Sequence, residues 1–420
     1  MREVQAEVLV VGAGPVGLVT ALLLADAGLE VKIIDRDERP ATRSYACALH
    51  PATLVLLNRL ELAEPLIQQG RKVRTFAFYE SSVRRAEVDL SKSHPEFPFL
   101  LVVPQNALEE LLVERLRQRT GITVNWNHRF ADLEPGDGSA LVTLERLGGT
   151  ATGYIVPHWE TVVQKRILVR ARFVIGADGH DSLVRQRLGI GFDCAGQPET
   201  FAAFEFESDD RPDEVRVVMD STTTNVLWPL PGNHLRWTFQ LVRSYPNDDF
   251  PLKERRVARL SESGVDDKIR DYVQRVTRER APWFSADLKK LAWFSEVVFE
   301  RRIVKTFGRG TSWLVGDAAH QTGPVGVQSM NVGFREAEDL SKLLLLLKVL
   351  RDEATVDSLD AFGRKHASEW KRLLGLEGGL KPTPSTNDWV RARCPRFLSC
   401  LPASNGDLAQ LAAQIGLELS

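Results

Sequence analysis

Val8-Leu9-Val10-Val11-Gly12-Ala13-Gly14-Pro15-Val16-Gly17-Leu18 lies close to the N-terminus and reads as a buried strand, a glycine turn and the start of an apolar helix. A second apolar run, Val31-Lys32-Ile33-Ile34, ends at Asp35, 18 residues beyond Gly17. This is the dinucleotide-binding fingerprint. Gly12 makes a tight turn, Gly14 lets the backbone approach a pyrophosphate, and Gly17 lets helix and strand pack closely. The Asp35 carboxylate would accept a ribose hydroxyl, and the helix N-terminus offers unpaired N–H groups to the phosphates. A glycine triplet alone is weak; the strand before it, the helix after it and the acid at that spacing make it specific.

With 420 residues the chain is long for one core, which predicts two closely packed domains. Hydrophobic residues make up 43% and charged residues 26%, as in an ordinary globular protein. The 54 basic and 56 acidic side chains leave a formal charge of −2 with no long like-charge block, which argues against a nucleic-acid partner. Cys47, Cys194, Cys394 and Cys400 form no CxxC pair, so no metal or redox dithiol is expected and a reduced cytoplasmic setting is the default. The first residues lead straight into a strand, without a secretory signal. The most apolar helix, Leu340 to Leu350, is too short to span a bilayer and carries Lys342 and Lys348, so no integral membrane segment is expected.

Residues 6–11, 15–27 and 30–35 predict a parallel βαβ opening. Residues 50–68, with Leu54, Leu57, Leu60 and Leu62, predict a helix. Thr75 to Glu80 alternates as a strand with which Ala86 to Leu90 can pair, and Val103-Pro104-Gln105 opens a helix over Asn106 to Arg119. Val124 and Ala140 to Leu144 read as further strands, and Gly148 to Arg172 as a β excursion ending at Ile167 to Val169. Residues 200–245 are rich in β-formers and aromatics, which predicts antiparallel strands with short turns. Residues 253–290 read as helical, and 297–299 with 302–304 as strand. Trp313-Leu314-Val315-Gly316-Asp317 is another buried strand ending in a turn, followed by helices over Gly333 to Leu350 and 358–375. A short helix is expected from Asp407.

Two more motifs carry chemistry. Gly176-Ala177-Asp178-Gly179, followed by Ser182, Val184 and Arg185, takes an apolar strand into an Asp-Gly turn able to face a polar ligand. Gly316-Asp317-Ala318-Ala319-His320 presents a carboxylate at a strand end. Pro324, Gly326, Gln328, Met330, Asn331 and Gly333 then mark a loop able to lie flat against an aromatic ring before a helix N-terminus. In this order and at these separations, the three motifs closely resemble the p-hydroxybenzoate hydroxylase-like family of single-component FAD-dependent aromatic monooxygenases, over residues 5–375.

The resemblance implies an α/β fold: a glutathione-reductase-like, Rossmann-type FAD-binding domain from 1–70, 100–185 and 290–375, with an inserted β-rich substrate domain from 71–99 and 186–289. Residues 376–420 would form a C-terminal tail. It implies FAD held by Gly12, Gly14, Pro15, Gly17, Asp35 and Arg36 at its adenosine end, and by Arg43 and Gln105 along the pyrophosphate and ribityl chain. Asp178, Gly179, Gly316 and Asp317 would add further contacts, and Pro324, Val327, Met330 and Asn331 would lie beside the isoalloxazine. Pro324, Gly326 and Asn331 are the residues implied at the reacting centre, with no metal. NAD(P)H is implied as a transient co-substrate. The reduced flavin of the family captures O₂ as a C4a-hydroperoxide and passes one oxygen to an electron-rich ring, here a phenolic or polyketide-like aromatic small molecule.

The chain departs from the family pattern in one loop. Where Pro-x-Gly-Gly-x-Gly-x-Asn is common, Val327 and Ser329 replace two glycines. A β-branched valine would be strained if its position needed a positive φ, so a slightly remodelled loop is expected. Glu336-Ala337 stands where Asp-Ala is usual, and Glu336 is expected to offset Arg335 near the helix start.

Each candidate also has a plainer reading. His320 is expected to pack or cap the turn rather than catalyse, and His50 to face either the active site or the surface. Cys47 is expected to be a small core residue rather than a flavin attachment point. Asp178 and Arg185 could form a structural turn and ion pair, and Tyr79 a cross-strand contact. Of Phe204, Phe206, Trp228, Trp237 and Phe239, strand alternation turns about half to the core, leaving one or two to touch substrate. Two other functional readings stay open. One is different FAD chemistry: epoxidation, Baeyer–Villiger insertion or isoprenoid reduction, with halogenation disfavoured because Trp-x-Trp-x-Ile-Pro is absent. The other is a flavin-bound protein whose activity has lapsed.

Overall fold

A computed structural model describes residues 3–40, 48–152, 158–241, 263–285, 288–350 and 354–420. The opening strand, Glu3–Val11, is hydrogen-bonded in parallel to Val31–Ile34 on one side and to the end of His158–Gly176 on the other. His158–Gly176 in turn pairs in parallel with Ser312–Leu314. Val8, Leu9 and Val10 are fully buried, as a parallel strand covered on both faces requires. The helix Pro15–Asp26 covers one face and packs on the helices Gln105–Thr120 and Gln328–Leu350. Val11 lies beside Gly176, and Gly176 beside Leu314, so all three motifs leave the sheet at the same edge.

A second sheet runs in the order Leu291–Phe299, Glu199–Glu207, His234–Leu241, Thr224–Pro229, Glu214–Met219, Thr75–Glu80 and Val83–Asp89. Its pairs are antiparallel except the join between Glu214–Met219 and Thr75–Glu80. The helix Ser263–Arg280 lies on one face, packing Ile269, Tyr272, Val273 and Val276 on Phe204, Phe206, Trp237 and Phe239. Trp228 instead meets Phe76 edge-on in the main core. All five aromatics are therefore buried, which overturns the expectation that one or two touch substrate. Alternation assigns half of them outward, and the helix covers that side.

Several local expectations shift. Residues 50–68 form two helices, Pro51–Arg59 and Ala63–Gln69, broken where Glu61 takes φ 57°. Val124 lies in no strand; the neighbouring Asn125 makes an isolated bridge to Ile34. The β excursion divides between the end of Ser139–Thr152 and the strand His158–Gly176, which pair antiparallel with one another before the end of His158–Gly176 also joins the parallel sheet. The long helix starts at Gln328 rather than Gly333. Leu291–Phe299, placed with 290–375 by the expected division, belongs to the second sheet. Arg43 and Cys47 lie outside the described residues.

The C-terminal residues form the helices Asp388–Phe397 and Asn405–Gln414 and a small pair of strands. Phe397 meets Phe78 at 4.8 Å, Arg393 reaches Glu80, and Arg396 donates to the Asp220 carbonyl and Thr224 Oγ1, tying this segment to the second sheet. Among the described residues, no helix is long and apolar enough to cross a membrane.

The glycine turn supplies a test of the packing argument. A methyl group on Gly17 would run into the Gly12 carbonyl, whereas one on Gly14, at φ −69°, would meet nothing within 4 Å. Gly17→Ala is expected to lower the unfolding free energy by about 2 kcal/mol or more. Gly14→Ala is expected to leave it within about 0.5 kcal/mol. Urea denaturation of the ligand-free protein measures both; an equal effect would refute the close-packed turn.

Candidate active site

The parallel strands end in a cradle of backbone. Gly12 N–H donates to Ile34 O at 2.9 Å, Ala177 N–H to Val11 O at 2.8 Å, and Val315 N–H to Gly176 O at 3.0 Å. Gly12 has φ 103°, and any side chain there would collide with the Ala177 backbone. Asp35 is fixed beside the turn, its Oδ2 accepting from Ala13 N–H at 2.6 Å and its Oδ1 from Asp37 N–H at 2.9 Å. Arg36 next to it is exposed. Gly14 caps the following helix without a side-chain bond, and Pro15 opens it. Gln105, at the start of its own helix, donates to Glu109.

Asp178 spends its carboxylate locally. It accepts from Ser182 Oγ at 2.5 Å and from the N–H groups of Leu183 and Val184, capping the helix Leu183–Arg187, while burial pushes its pKa upward. The structural turn of the plainer reading is thus present, but not the ion pair that reading paired with it. Arg185 instead donates to the carbonyls of Ala318 and His180, joining the second motif to the third. Asp317 differs from both of the other acids. It has no hydrogen-bond or ion-pair partner among the described residues, and the residue is exposed. Desolvation by the groups around it raises its carboxyl pKa above the ordinary range. An unpartnered acid, the uncapped helix start and the open space over Gly14 and Gly179 fit the hydroxyls and phosphates of FAD.

The loop from Pro324 to Asn331 is held from two sides. Asn331 Nδ2 donates to Val327 O at 2.7 Å and Ala48 O at 3.1 Å, and its Oδ1 accepts from His50 N–H at 2.8 Å. The His50 ring donates through Nε2 to Gly326 O at 2.9 Å. From the other side, Gly326 N–H donates to Ser399 O at 3.0 Å, and Gln328 Nε2 faces the carbonyls of Leu398, Leu401 and Ala403. A Cβ on Gly326 would stand 2.8 Å from Leu401 O and Ser399 O. Pro324 and Met330 are half-buried.

Within this brace Val327 keeps φ 49° and is buried. The expected remodelling therefore does not occur: the valine holds the left-handed conformation, at a cost of about 1–2 kcal/mol. His50 is buried rather than at the surface. Arg335 and Glu336 lie beyond the first turn of the helix, which begins at Gln328, and Arg335 turns to Glu369 and Ser404. Glu336 is fully buried and accepts from Gly316 N–H at 2.9 Å, Trp370 Nε1–H at 2.7 Å and His320 Nε2 at 2.9 Å. Burial alone would raise its carboxyl, but His320, His366 and these donors bring it below the usual range. His320 stacks on Trp370 at 3.7 Å, so packing is its observed role. The brace residues His50, Gln328 and Ser399 were not legible as such; the one available signal was the pair of missing loop glycines.

A family model described as FAD binding domain matches residues 5–374. Among curated proteins, 6-methylpretetramide 4-monooxygenase of Streptomyces rimosus is 28% identical over 371 residues, covering 88% of this chain and 60% of the relative. The chain thus spans less than two thirds of that protein. Para-nitrophenol 4-monooxygenase of Pseudomonas sp. (strain WBC-3) is 26% identical over 398 residues, covering 92% of this chain and 88% of the relative. Of solved structures, p-nitrophenol 4-monooxygenase PnpA from Pseudomonas putida DLL-E4 shares the fold, with a TM-score of 0.71 and 21% identity over 98% of this chain and 94% of its own.

Two measurements probe the brace. Val327→Gly loses buried methyl groups but also the left-handed strain, so it is expected to cost less than about 1 kcal/mol, against roughly 3 for Val315→Gly at an extended, fully buried position. Equal losses in urea denaturation would show that Val327 is unstrained. Burial pushes the His50 pKa down to about 4. The unfolded chain, with an ordinary imidazole, therefore binds the extra proton first, and stability falls as pH drops from 6.5 towards 4. Between pH 7 and pH 5 the wild type should lose about 2 kcal/mol more than His50→Gln. Parallel pH profiles would disprove the buried neutral ring.

Proposed function

Because the chain belongs to the FAD binding domain family, we propose that it is an FAD-dependent monooxygenase that uses NAD(P)H and O₂ to hydroxylate a phenolic or polyketide-like aromatic small molecule. The observation that carries this reading is the unpartnered Asp317 set opposite the open glycine turn, with a braced loop alongside. When bound, FAD would supply the redox chemistry and the activation of O₂. The chain supplies position and dryness. Asp35 receives an adenosine ribose hydroxyl, and Gly14, Pro15 and the first-turn N–H groups take the pyrophosphate, with Arg36 and Gln105 assigned to the same cofactor. Asp317 holds ribityl hydroxyls, and Asp178 and Gly179 shape the turn beside them.

Pro324, Gly326, Val327, Met330 and Asn331 present the loop to the flavin ring, with Pro324, Gly326 and Asn331 nearest the reacting atoms. Asn331 acts there through backbone geometry, since its side chain is committed to Ala48, His50 and Val327. Residues 71–99 and 186–299 form the substrate unit in this reading, beside a flavin unit from 1–70, 100–185 and 300–375. The relative named for para-nitrophenol supports a phenolic substrate. The left-handed conformation kept at Val327 supports a working loop over a lapsed one. A cytoplasmic setting and the absence of a nucleic-acid partner belong to the same proposal, the latter supported by the near-balanced charge.

Purified protein should take up FAD, and NADH or NADPH oxidation should accelerate with members of a phenol panel while labelled O₂ enters a product. Protein that takes up no FAD would sink the proposal, and flavin reduction without an oxygenated product would exclude hydroxylation of the panel. Asp35→Ala is expected to weaken FAD binding by about tenfold or more. An unchanged dissociation constant would remove Asp35 from the ribose.

A further inference from the structure

A cavity of about 250 Å³ lies between the helices Pro51–Arg59 and Gln328–Leu350 and the start of Asn405–Gln414. It meets the braced loop through Asn331 and His50, and no residue of the three glycine turns lines it. Val55, Leu56 and Phe334 give it apolar walls. The other charges on its wall are largely matched. Glu338 holds both Arg59 and Lys342, and Arg335 is turned to Glu369 and Ser404.

Two acceptors on the same wall are not matched. Asp407 makes no hydrogen bond or ion pair among the described residues, and His94 and Arg335 line the same cavity. His50 is 5% exposed and commits Nε2 to the Gly326 carbonyl, which fixes the ring proton on that nitrogen. Since burial keeps the ring neutral, Nδ1 is left with a bare lone pair. His50 stands at the N-cap of Pro51–Arg59, yet its side chain makes no capping bond. Nor is Nδ1 among the polar atoms sealed away from solvent. An acid and an imidazole lone pair, both lacking donors, therefore face one small cavity with apolar walls.

We propose that this cavity is a binding site for a small organic cation, an amidinium or primary ammonium on a short apolar body, whose N–H groups donate to Asp407 and to Nδ1 of His50. Charge-assisted donation to the carboxylate is the stronger bond, and the apolar walls take the body of the ligand. His50 and Asn331 also hold the loop around Val327, so an occupant bears directly on that loop. The site is lined by none of the three glycine turns, adjoins the flavin loop at Asn331, and calls on no flavin chemistry.

Benzamidine is the probe, titrated by calorimetry into oxidised, FAD-saturated protein without reductant, with benzyl alcohol as the neutral control. Wild type is expected to bind one equivalent, Asp407→Asn about tenfold more weakly, and Val55→Trp, which fills the cavity, not at all. The flavin spectrum should be the same in both variants. Absence of benzamidine binding, or equal affinity in wild type and Asp407→Asn, overturns the site. Benzyl alcohol binding as tightly as benzamidine overturns its preference for a cation. Should the protein take up no FAD, the same titration on the ligand-free chain separates that failure from this one.

Discussion

No side chain can stand between Gly12, Gly17 and Ala177, and the rest of the site depends on that contact. It brings the first helix down onto the end of its own strand and seats the second motif against the first. Gly316, at φ 63°, and Gly333 then approach the same helix at Val16, so the third motif is set by packing against the first. Three segments more than a hundred residues apart in the chain thus share one edge of one sheet. Hydrogen bonds between neighbouring strand ends hold it, but the glycines are what allow the backbones to come so close.

The loop from Pro324 to Asn331 obeys a different logic. Its central residue is strained, and strain persists only where the surroundings over-determine the geometry. Here they do. Asn331 pins the Val327 carbonyl, His50 pins that of Gly326, and the C-terminal residues 398–403 close the other side through Gln328. Each buried hydrogen bond contributes on the order of 1 kcal/mol, so several together outweigh a penalty of about 1–2 kcal/mol. The same C-terminal residues reach the second sheet through Phe397 and Arg396. The C-terminal segment therefore touches both the second sheet and the loop.

What could be read from the chain follows from the range of the forces involved. The glycine turns, the parallel strands and the long helices were legible, because local periodicity and backbone sterics fix them. The alternating aromatics misled, because alternation cannot say that Ser263–Arg280 covers the second face. Long-range partners were beyond reach for the same reason. His50 and Gly326 are separated by 276 positions, and Gln328 and Ala403 by 75. Arg335 and Glu336 show the limit at short range. They are adjacent in sequence, but a helix sends neighbouring side chains in different directions, one to Glu369 and the other into the core.

Glu336 shows how a buried charge can serve such an arrangement. An isolated carboxylate in the core would be costly, and the chain offsets that cost with three donors drawn from three elements. Gly316 N–H comes from the strand end, His320 from the turn beyond it, and Trp370 from the helix Ala354–Leu373. The aspartate usual at this position is one methylene shorter. The His320 ring, which supplies one of the three donors, also stacks on the indole that supplies another. Glutamate at 336 and the stacked His320–Trp370 pair are thus one solution, and the Gly316–Asp317 turn takes its orientation from it.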